Sequence, residues 1–166
     1  MNIVARIIAA AAAASLLAGA AFAQPGARAR ENAAGGVSAG AVRDAYGPYG
    51  GRVLAEGGVV TNGDGAGFGG SRGCARDAVG STGCRASSTF WNEDGAFTHE
   101  SGGVYNGAFG GAGAAYGTLT RDSDGDVYGA RNGAFSIGDR TYTAETTFES
   151  GEGLSRDVNC SGSGCR

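Results

Sequence analysis

The sequence predicts an all-β protein: a single small, glycine-rich antiparallel meander that follows a signal peptide and a flexible leader. Three observations predict it, namely alternating side chains in short segments, Asp-Gly turns between them, and a high glycine content. Alternation is clearest over 141–149, where one parity carries Tyr142, Ala144, Thr146 and Phe148. Successive strand side chains point to opposite faces, so this segment is expected to be a strand with one buried face and one wet face.

Glycine content separates this chain from helical proteins. It has 34 glycines among 166 residues, about three times the usual share of roughly 7%. Each glycine inside a helix costs about 1 kcal/mol relative to alanine, so we expect no long helix. Large apolar residues are sparse, which predicts one domain with one small core.

The first 23 residues have the layout of an export signal. Arg6 precedes an uncharged apolar run over 7–20, and small residues follow at Ala21 and Ala23. This pattern predicts a secretory signal peptide that is cleaved after Ala23. The run is shorter than the roughly 20 residues that span a bilayer, and no later stretch is long and apolar enough. We therefore expect a mature chain without a transmembrane segment, in the periplasm, at the cell surface or outside the cell.

Residues 24–52 show no convincing period, because glycine and proline interrupt them repeatedly. We predict a flexible leader here, with one helical turn near 37–44. The β domain is expected to occupy 53–166, and the glycine-rich stretch 62–70 is expected to be a loop or a highly irregular edge. Predicted strands lie near 52–61, 84–91, 95–105, 114–121, 127–137, 140–148 and 154–160.

Turn residues and weak repeats support a meander. Segments 92–95 and 121–126 each place a glycine after an aspartate, which supplies the positive φ of a tight hairpin connection. Arg-Asp recurs at 76–77, 121–122 and 156–157. The intervals of 45 residues (121 minus 76) and 35 residues (156 minus 121) are too unequal for a strict solenoid rung, so we favour a twisted antiparallel sheet, curled on itself or solenoid-like in outline.

Four cysteines are predicted to form disulfides, because the export signal sends the chain to an oxidising compartment. They are Cys74, Cys84, Cys160 and Cys165. We favour local pairing, Cys74 with Cys84 and Cys160 with Cys165, because each pair brackets a turn-rich loop. The alternative is that both bridges cross between the two loops. A zinc site would need more ligands, and His99 is the only histidine.

Three carboxylates at alternate positions suggest a cation site. Asp122, Asp124 and Asp126 match the first half of an EF-hand calcium loop. The match then ends, because Val127 stands where the loop needs glycine and Gly133 where it needs a bidentate glutamate. We predict a plain hairpin turn, with weak calcium binding as the alternative.

Catalytic patterns are missing from the sequence. His99 and Glu100 are adjacent, so on a strand they point to opposite faces and do not cooperate easily as a base and its orienter. No nucleophile motif precedes a helix. We therefore expect no enzyme activity and no cofactor; a small secreted hydrolase that uses His99 or Asp124 is the remaining catalytic alternative.

Charge and aromatic content bear on partners. Without Arg6, 12 arginines face 16 acids, a formal net charge of −4, which argues against nucleic-acid binding. Aromatic residues fall at one or two per predicted strand and are expected to form the core; exposed on one face, they would instead form a platform for glycans or another protein.

The sequence thus predicts an exported, non-enzymatic structural or adhesive protein of the cell envelope or extracellular space. Its partner would be a component of that environment, and self-association is compatible with the sequence. A weak calcium- or glycan-binding module is the alternative.

Overall fold

The computed structural model describes residues 26–165, and over these residues the chain forms ten β-strands and no helix. Each strand pairs antiparallel with the next one in the chain, so the order across the sheet is the order in the sequence. The strands are β1 Gly26–Glu31, β2 Val37–Tyr46, β3 Arg52–Thr61, β4 Gly67–Arg76, β5 Thr82–Trp91, β6 Phe97–Asn106, β7 Gly111–Arg121, β8 Val127–Ile137, β9 Arg140–Glu149 and β10 Gly153–Ser161. The predicted all-β meander is confirmed, and its two edges, β1 and β10, remain open.

A hairpin unit of 15 residues generates most of the sheet. Glycines with positive φ recur at this interval, at Gly35, Gly50, Gly65, Gly80, Gly95, Gly110 and Gly125. Each is the fourth residue of a five-residue turn. The first residue of the turn donates its N–H to the fifth carbonyl, and the glycine donates to the first carbonyl. Glycine populates this left-handed region without the steric cost of a Cβ atom, so it fixes the turn geometry and the strand register.

Side chains reinforce five of these turns at their first residue. Asn32, Asn62, Asp77, Asn92 and Asp122 each accept hydrogen bonds from backbone N–H groups within their own turn. Short polar side chains of this kind stabilise turns because they satisfy backbone donors locally. The turns are therefore specified by asparagine or aspartate together with glycine.

The registers define two faces. From β1 to β8, opposite residues have the same parity, as in the pairing of Ser38 with Val60. Face A therefore carries the even-numbered residues of β1–β8, and face B the odd-numbered ones. The two-residue turn between Ile137 and Arg140 changes the parity. In β9 and β10, face A carries odd-numbered residues and face B even-numbered ones.

The sheet is a single layer, and the predicted small core is wrong. Among the described residues, the only buried apolar side chains are Ala45 and Val59. Tyr142 and Phe148, which the alternating pattern placed on a buried face, are 37% and 39% exposed. The alternation is present, but no second layer within residues 26–165 covers either face.

Rings that lie over glycines on the next strand take the place of a core. Five glycines are directly opposite an aromatic residue: Gly67 opposite Trp91, Gly83 opposite Tyr105, Gly102 opposite Tyr116, Gly113 opposite Phe135, and Gly129 opposite Phe148. A Cβ atom built on any of the five would lie within 4 Å of its ring partner's side chain. Aromatic residues that cover strand glycines in this way bury apolar area and fix the register.

The first half of the chain departs from the sequence prediction. β1 and β2 occupy most of 24–52, where we predicted a flexible leader, and β2 replaces the helical turn predicted near 37–44. β4 begins at Gly67, inside the predicted loop 62–70. Backbone pairing with both neighbours holds these glycine-rich strands, and local side-chain patterns do not show it. The predicted signal peptide lies outside the described residues.

The weak repeats also have a structural explanation. Arg-Asp at 76–77 and at 121–122 mark the ends of β4 and β7, three 15-residue units apart. Arg156 and Asp157 lie within β10, so the third copy is unrelated to a turn. Arg43 and Asp44 form a further copy, which lies inside β2. The copies inside strands make the intervals unequal and hide the period.

Candidate interaction surface

The turns at the two ends of the sheet differ in chemistry. Successive turns alternate between the ends, because neighbouring strands are antiparallel. One end, which we call the acidic end, consists of turns 32–36, 62–66, 92–96, 122–126 and 150–152; its acids are Asp64, Glu93, Asp94, Asp122, Asp124, Asp126 and Glu152. These five turns contain no arginine. The sequence shows this segregation only once the 15-residue unit is known.

The opposite end, which we call the apolar end, consists of turns 47–51, 77–81, 107–111 and 138–139. Its five-residue turns carry Tyr49, Val79 and Phe109 at their third position, with exposed fractions of 87%, 61% and 88%. At the acidic end the same position is Ala34, Asp64, Asp94 or Asp124. Turn tips usually carry polar residues, so these three apolar side chains are unusual for their position.

Neighbouring turns at the apolar end contact one another. Ala108 donates its backbone N–H to the Ser81 hydroxyl at 3.3 Å, and Ser81 is buried. Turns at the same end are two strands apart, about 10 Å. Val79 and Phe109 thus lie at the tips of two turns that are joined by a hydrogen bond, which fixes their positions relative to each other.

The two open edges carry opposite charges on face A. β1 places Arg28 and Arg30 there, and all six of its residues are exposed. At the other edge, Glu145 of β9 lies directly opposite Asp157 of β10, with Glu149 further along β9. Like charges directly opposite each other in a sheet are destabilising, so this acidic edge favours a nearby cation.

The interior of face A contains two ion pairs across strands. Arg52 contacts Asp44 at 2.7 Å and lies over the ring of Tyr46. A side-chain hydrogen bond with Arg52 lowers the pKa of Asp44. Arg72 pairs with Glu56, which lies directly opposite it. These four charges balance, and so do the other two charges in the interior of face A, Arg76 and Glu100. The net charge of face A is therefore set at its edges.

The structure pairs Cys74 with Cys84 and Cys160 with Cys165, the local pairing that the spacing favoured. No free cysteine remains among the described residues. Cys74 and Cys84 lie directly opposite each other on β4 and β5, and the second bridge closes the turn after β10. Two disulfides indicate an oxidising environment, either extracellular or periplasmic.

The proposed calcium ligands lie in one turn at the acidic end. Asp122 Oδ1 accepts backbone N–H groups of Asp124, Gly125 and Asp126 at 2.9–3.0 Å, and Asp126 accepts the hydroxyl of Ser150. Between residues 26 and 165, no group of three acids, histidines or cysteines is placed to hold a metal ion. The Asp122 carboxylate therefore holds the backbone of its own turn, and the Asp126 carboxylate joins this turn to Ser150. Weak calcium binding stays a prediction.

Tyr128 packs beside this turn. Loss of hydration is the largest cause that raises its pKa, and the charges of Asp122 and Asp126 add to it. Its hydroxyl donates to Asp122 Oδ2 at 3.4 Å. The ring therefore joins the beginning of β8 to the acidic turn before it.

His99 and Glu100 point to opposite faces, as their adjacency on a strand predicts. His99 Nδ1 lies 2.7 Å from the Thr89 hydroxyl on β5, its direct neighbour on face B. Asp124 lies in a turn at the acidic end rather than beside His99. The structure does not join the two residues of the hydrolase alternative into one site.

Aromatic side chains are exposed on both faces. Face A carries Tyr46, Phe68, Phe90, Tyr116 and Tyr128, and face B carries Tyr105, Phe135, Tyr142 and Phe148. Phe68 and Phe90 lie opposite each other with ring centroids 4.6 Å apart. The aromatic residues thus do not form the predicted core, and neither face collects them into one platform.

Comparison of the chain with protein-family models, curated proteins and solved structures found no match. In the described part of the chain, no helix is long and apolar enough to cross a membrane.

Proposed function

We propose that this chain is an exported, non-enzymatic protein with a structural or adhesive role at the cell envelope or outside the cell. The observation that carries the proposal is a single-layer sheet whose two faces and two edges are all open. Large exposed apolar areas on soluble proteins mark interaction sites, and an unpaired edge strand is a template for another strand. Such a molecule is suited to contact with surfaces and with other copies.

The compartment is supported by two independent features. The disulfides require oxidation, which cytosolic reductants oppose. Residues 1–23 have the charge, apolar run and small residues of a cleaved export signal. Together they favour the periplasm, the cell surface or the extracellular medium.

The apolar end favours the adhesive form of this role, with a lipid surface as its target. Tyr49, Val79 and Phe109 project from one end, and aromatic side chains suit the boundary between water and lipid. Arg76 lies next to these turns, at the end of β4, and favours anionic headgroups. The acidic end is at the far side of the sheet, where repulsion from an anionic surface is weakest.

Export is tested by expressing the full chain with a C-terminal tag, fractionating the cells and sequencing the mature N-terminus. The proposal predicts a chain that begins at Gln24, lies outside the cytoplasm and has no free thiol. A matched variant, Ala21→Asp with Ala23→Asp, should remain uncleaved. A wild-type chain that stays in the cytoplasm with reduced cysteines would contradict the proposal.

The non-enzymatic part is tested with the two residues of the catalytic alternative. Purified mature chain is assayed against panels of ester, peptide and glycoside substrates, beside His99→Ala and Asp124→Ala. The proposal predicts no turnover above the buffer rate. Turnover that both substitutions abolish would support a secreted hydrolase instead.

A further inference from the structure

Building on the structural role proposed above, we propose that copies of this chain join head to tail through their sheet edges. β10 of one copy pairs antiparallel with β1 of the next, in a register that places Arg28 opposite Asp157. The partner is a second copy of the same chain, and the product is a continuous sheet that grows by ten strands per copy.

Strand direction and faces are compatible with this junction. β1 runs toward the acidic end and β10 runs away from it. The sheet has an even number of strands that alternate in direction, so its two edge strands run in opposite directions. A copy shifted across the sheet therefore presents its β1 antiparallel to β10. The shift keeps face A beside face A and the acidic end beside the acidic end, so no side chain must change sides.

The unpaired backbone groups also match. Asn32 donates its N–H to the Gly36 carbonyl at 3.0 Å, so the ladder to β2 bonds through even-numbered residues of β1. The N–H and C=O groups of Ala27, Ala29 and Glu31 consequently point outward. In the hairpin of β9 and β10, the Glu152 N–H donates to the Glu149 carbonyl. The odd-numbered residues of β10 therefore bond to β9.

The even-numbered residues of β10 do not bond to β9, so the N–H and C=O groups of Leu154, Arg156 and Val158 point outward. The register with Arg28 opposite Asp157 pairs Ala29 with Arg156, an outward-facing residue with an outward-facing residue. It places 26–31 against 154–159, which lies wholly within β10. All six residues of β1 are therefore paired in this register.

Charge selects this junction over its alternatives. On face A, Asp157 would lie between Glu145 and Arg28 of the next copy, so the pair of acids that face each other across β9 and β10 would gain a neighbouring cation. On face B, Glu31 would lie diagonal to Arg156, within reach of its guanidinium. A two-fold junction of β10 with β10 would bring the acids together, and β1 with β1 would bring together Arg28 and Arg30. Opposite charges thus favour head-to-tail joining and oppose closed dimers.

A head-to-tail interface that does not close generates an open-ended assembly. With strands about 4.8 Å apart, each copy adds about 48 Å to the sheet. The right-handed twist of β-strands accumulates along it, so the assembly is a twisted ribbon.

The experiment uses oxidised mature chain, 24–166, and two charge-reversed variants. The first carries Arg28→Glu and Arg30→Glu, and the second carries Glu145→Arg and Asp157→Arg. Far-UV circular dichroism and thiol titration show that each retains its strands and disulfides, as expected for exposed positions. Assembly is followed by sedimentation velocity, and ribbons are imaged by electron microscopy.

Wild-type chain should form ribbons with a repeat of about 48 Å. Each variant alone should associate at least about tenfold more weakly, since attraction across the junction becomes repulsion. An equimolar mixture should recover assembly, because the acidic β1 edge of the first variant then meets the basic β10 edge of the second. Recovery in the mixture is the result that a general effect on folding would not produce.

A wild-type chain that remains monomeric at high concentration would overturn the inference, as would variants that assemble as well as wild type or a mixture that stays dissociated. Export and the lack of turnover are measured separately. A monomeric chain found outside the cell would therefore remove the ribbon and leave the adhesive role standing. A chain retained in the cytoplasm would remove the proposed function itself.

Discussion

Gly67 lies directly beneath the ring of Trp91 on the neighbouring strand, and the indole N–H donates to the Gly65 carbonyl at 2.9 Å. A Cβ atom at Gly67 would lie 2.5 Å from both the Trp91 ring and the Val60 carbonyl. The glycine and the ring therefore specify each other, and the only tryptophan of the chain fixes the register of β4 and β5.

Gly67→Ala should destabilise the sheet by about 1–3 kcal/mol, because the ring or the backbone must move to admit a methyl group. Gly40→Ala is the matched control, since its Cβ would meet only the Gly57 carbonyl, at 3.5 Å. Urea unfolding followed by far-UV circular dichroism gives both values. Equal midpoints for the two variants would show that the ring does not require glycine beneath it.

Removing the Cys74–Cys84 bridge should have a larger effect than removing the Cys160–Cys165 bridge. The first joins two interior strands and closes a hairpin with a sequence separation of 10, which corresponds to about 2–3 kcal/mol. The second bridge joins the end of the edge strand β10 to the turn that follows it, where local unfolding costs little free energy. Unfolding midpoints of Cys74→Ser/Cys84→Ser and Cys160→Ser/Cys165→Ser test the order, and the reverse order would contradict it.

Asp77 should make the sheet sensitive to acid. A hydrogen bond with the Ser81 side chain, together with backbone N–H groups of its turn, lowers the pKa of Asp77. A lowered folded pKa means that the stabilisation is present above the ordinary value of about 3.9 and is lost as pH falls through the lowered one. Asp77→Asn keeps an acceptor at a position where other turns use asparagine, but it does not titrate. Its stability should fall less than that of wild type below about pH 4. The free energy of unfolding of both proteins is measured against pH, and parallel curves would show that Asp77 does not cause the acid sensitivity.

The exposed tips at the apolar end should contribute to adhesion and not to stability. A variant with Tyr49→Ser, Val79→Ser and Phe109→Ser should unfold within about 0.5 kcal/mol of wild type, because the three side chains are mostly in solvent. Its retention on anionic phosphatidylglycerol vesicles should fall at least about tenfold, through lost apolar burial.

The matched control changes the same turn position at the other end, with Asp64→Ser, Asp94→Ser and Asp124→Ser. It should bind the vesicles at least as well as wild type. Equal loss in both variants, or no binding by wild type, would contradict adhesion to lipid through the apolar end. Binding to an immobilised protein but not to vesicles would point to a different partner.

The sequence predicted those elements whose signal is local. The bounds of β3 and β8 agree with the predicted strands, and the Asp-Gly turns are where they were expected. The sequence did not predict β4, because Trp91 on the next strand covers Gly67 and Gly69 and because both neighbouring strands pair with the β4 backbone. Neither effect is visible within the segment itself. The charged edges were missed for the same reason, since Glu145 and Asp157 become neighbours only when the register is known.

The predicted burial of one face is wrong, because alternation alone does not show that a face is covered. Tyr142 and Phe148 alternate with polar residues, yet both faces of β9 meet solvent. Alternation reports that a strand has two chemically different faces, and a second layer is needed to bury one of them. The apolar end was likewise hidden, because Tyr49, Val79 and Phe109 are 30 residues apart and share an end only through the antiparallel order.

Nuclear magnetic resonance of the oxidised chain tests the open ten-strand meander most directly, through contacts between Hα protons of opposite residues. The open meander predicts contacts between Val59 and Gly69 and between Leu119 and Gly129 in one sample, because directly opposite residues in non-hydrogen-bonded pairs bring these protons close. It also predicts no such contact between β1 and β10 in the monomer. Absence of the first two contacts, or contacts between the two edges within one molecule, would contradict it.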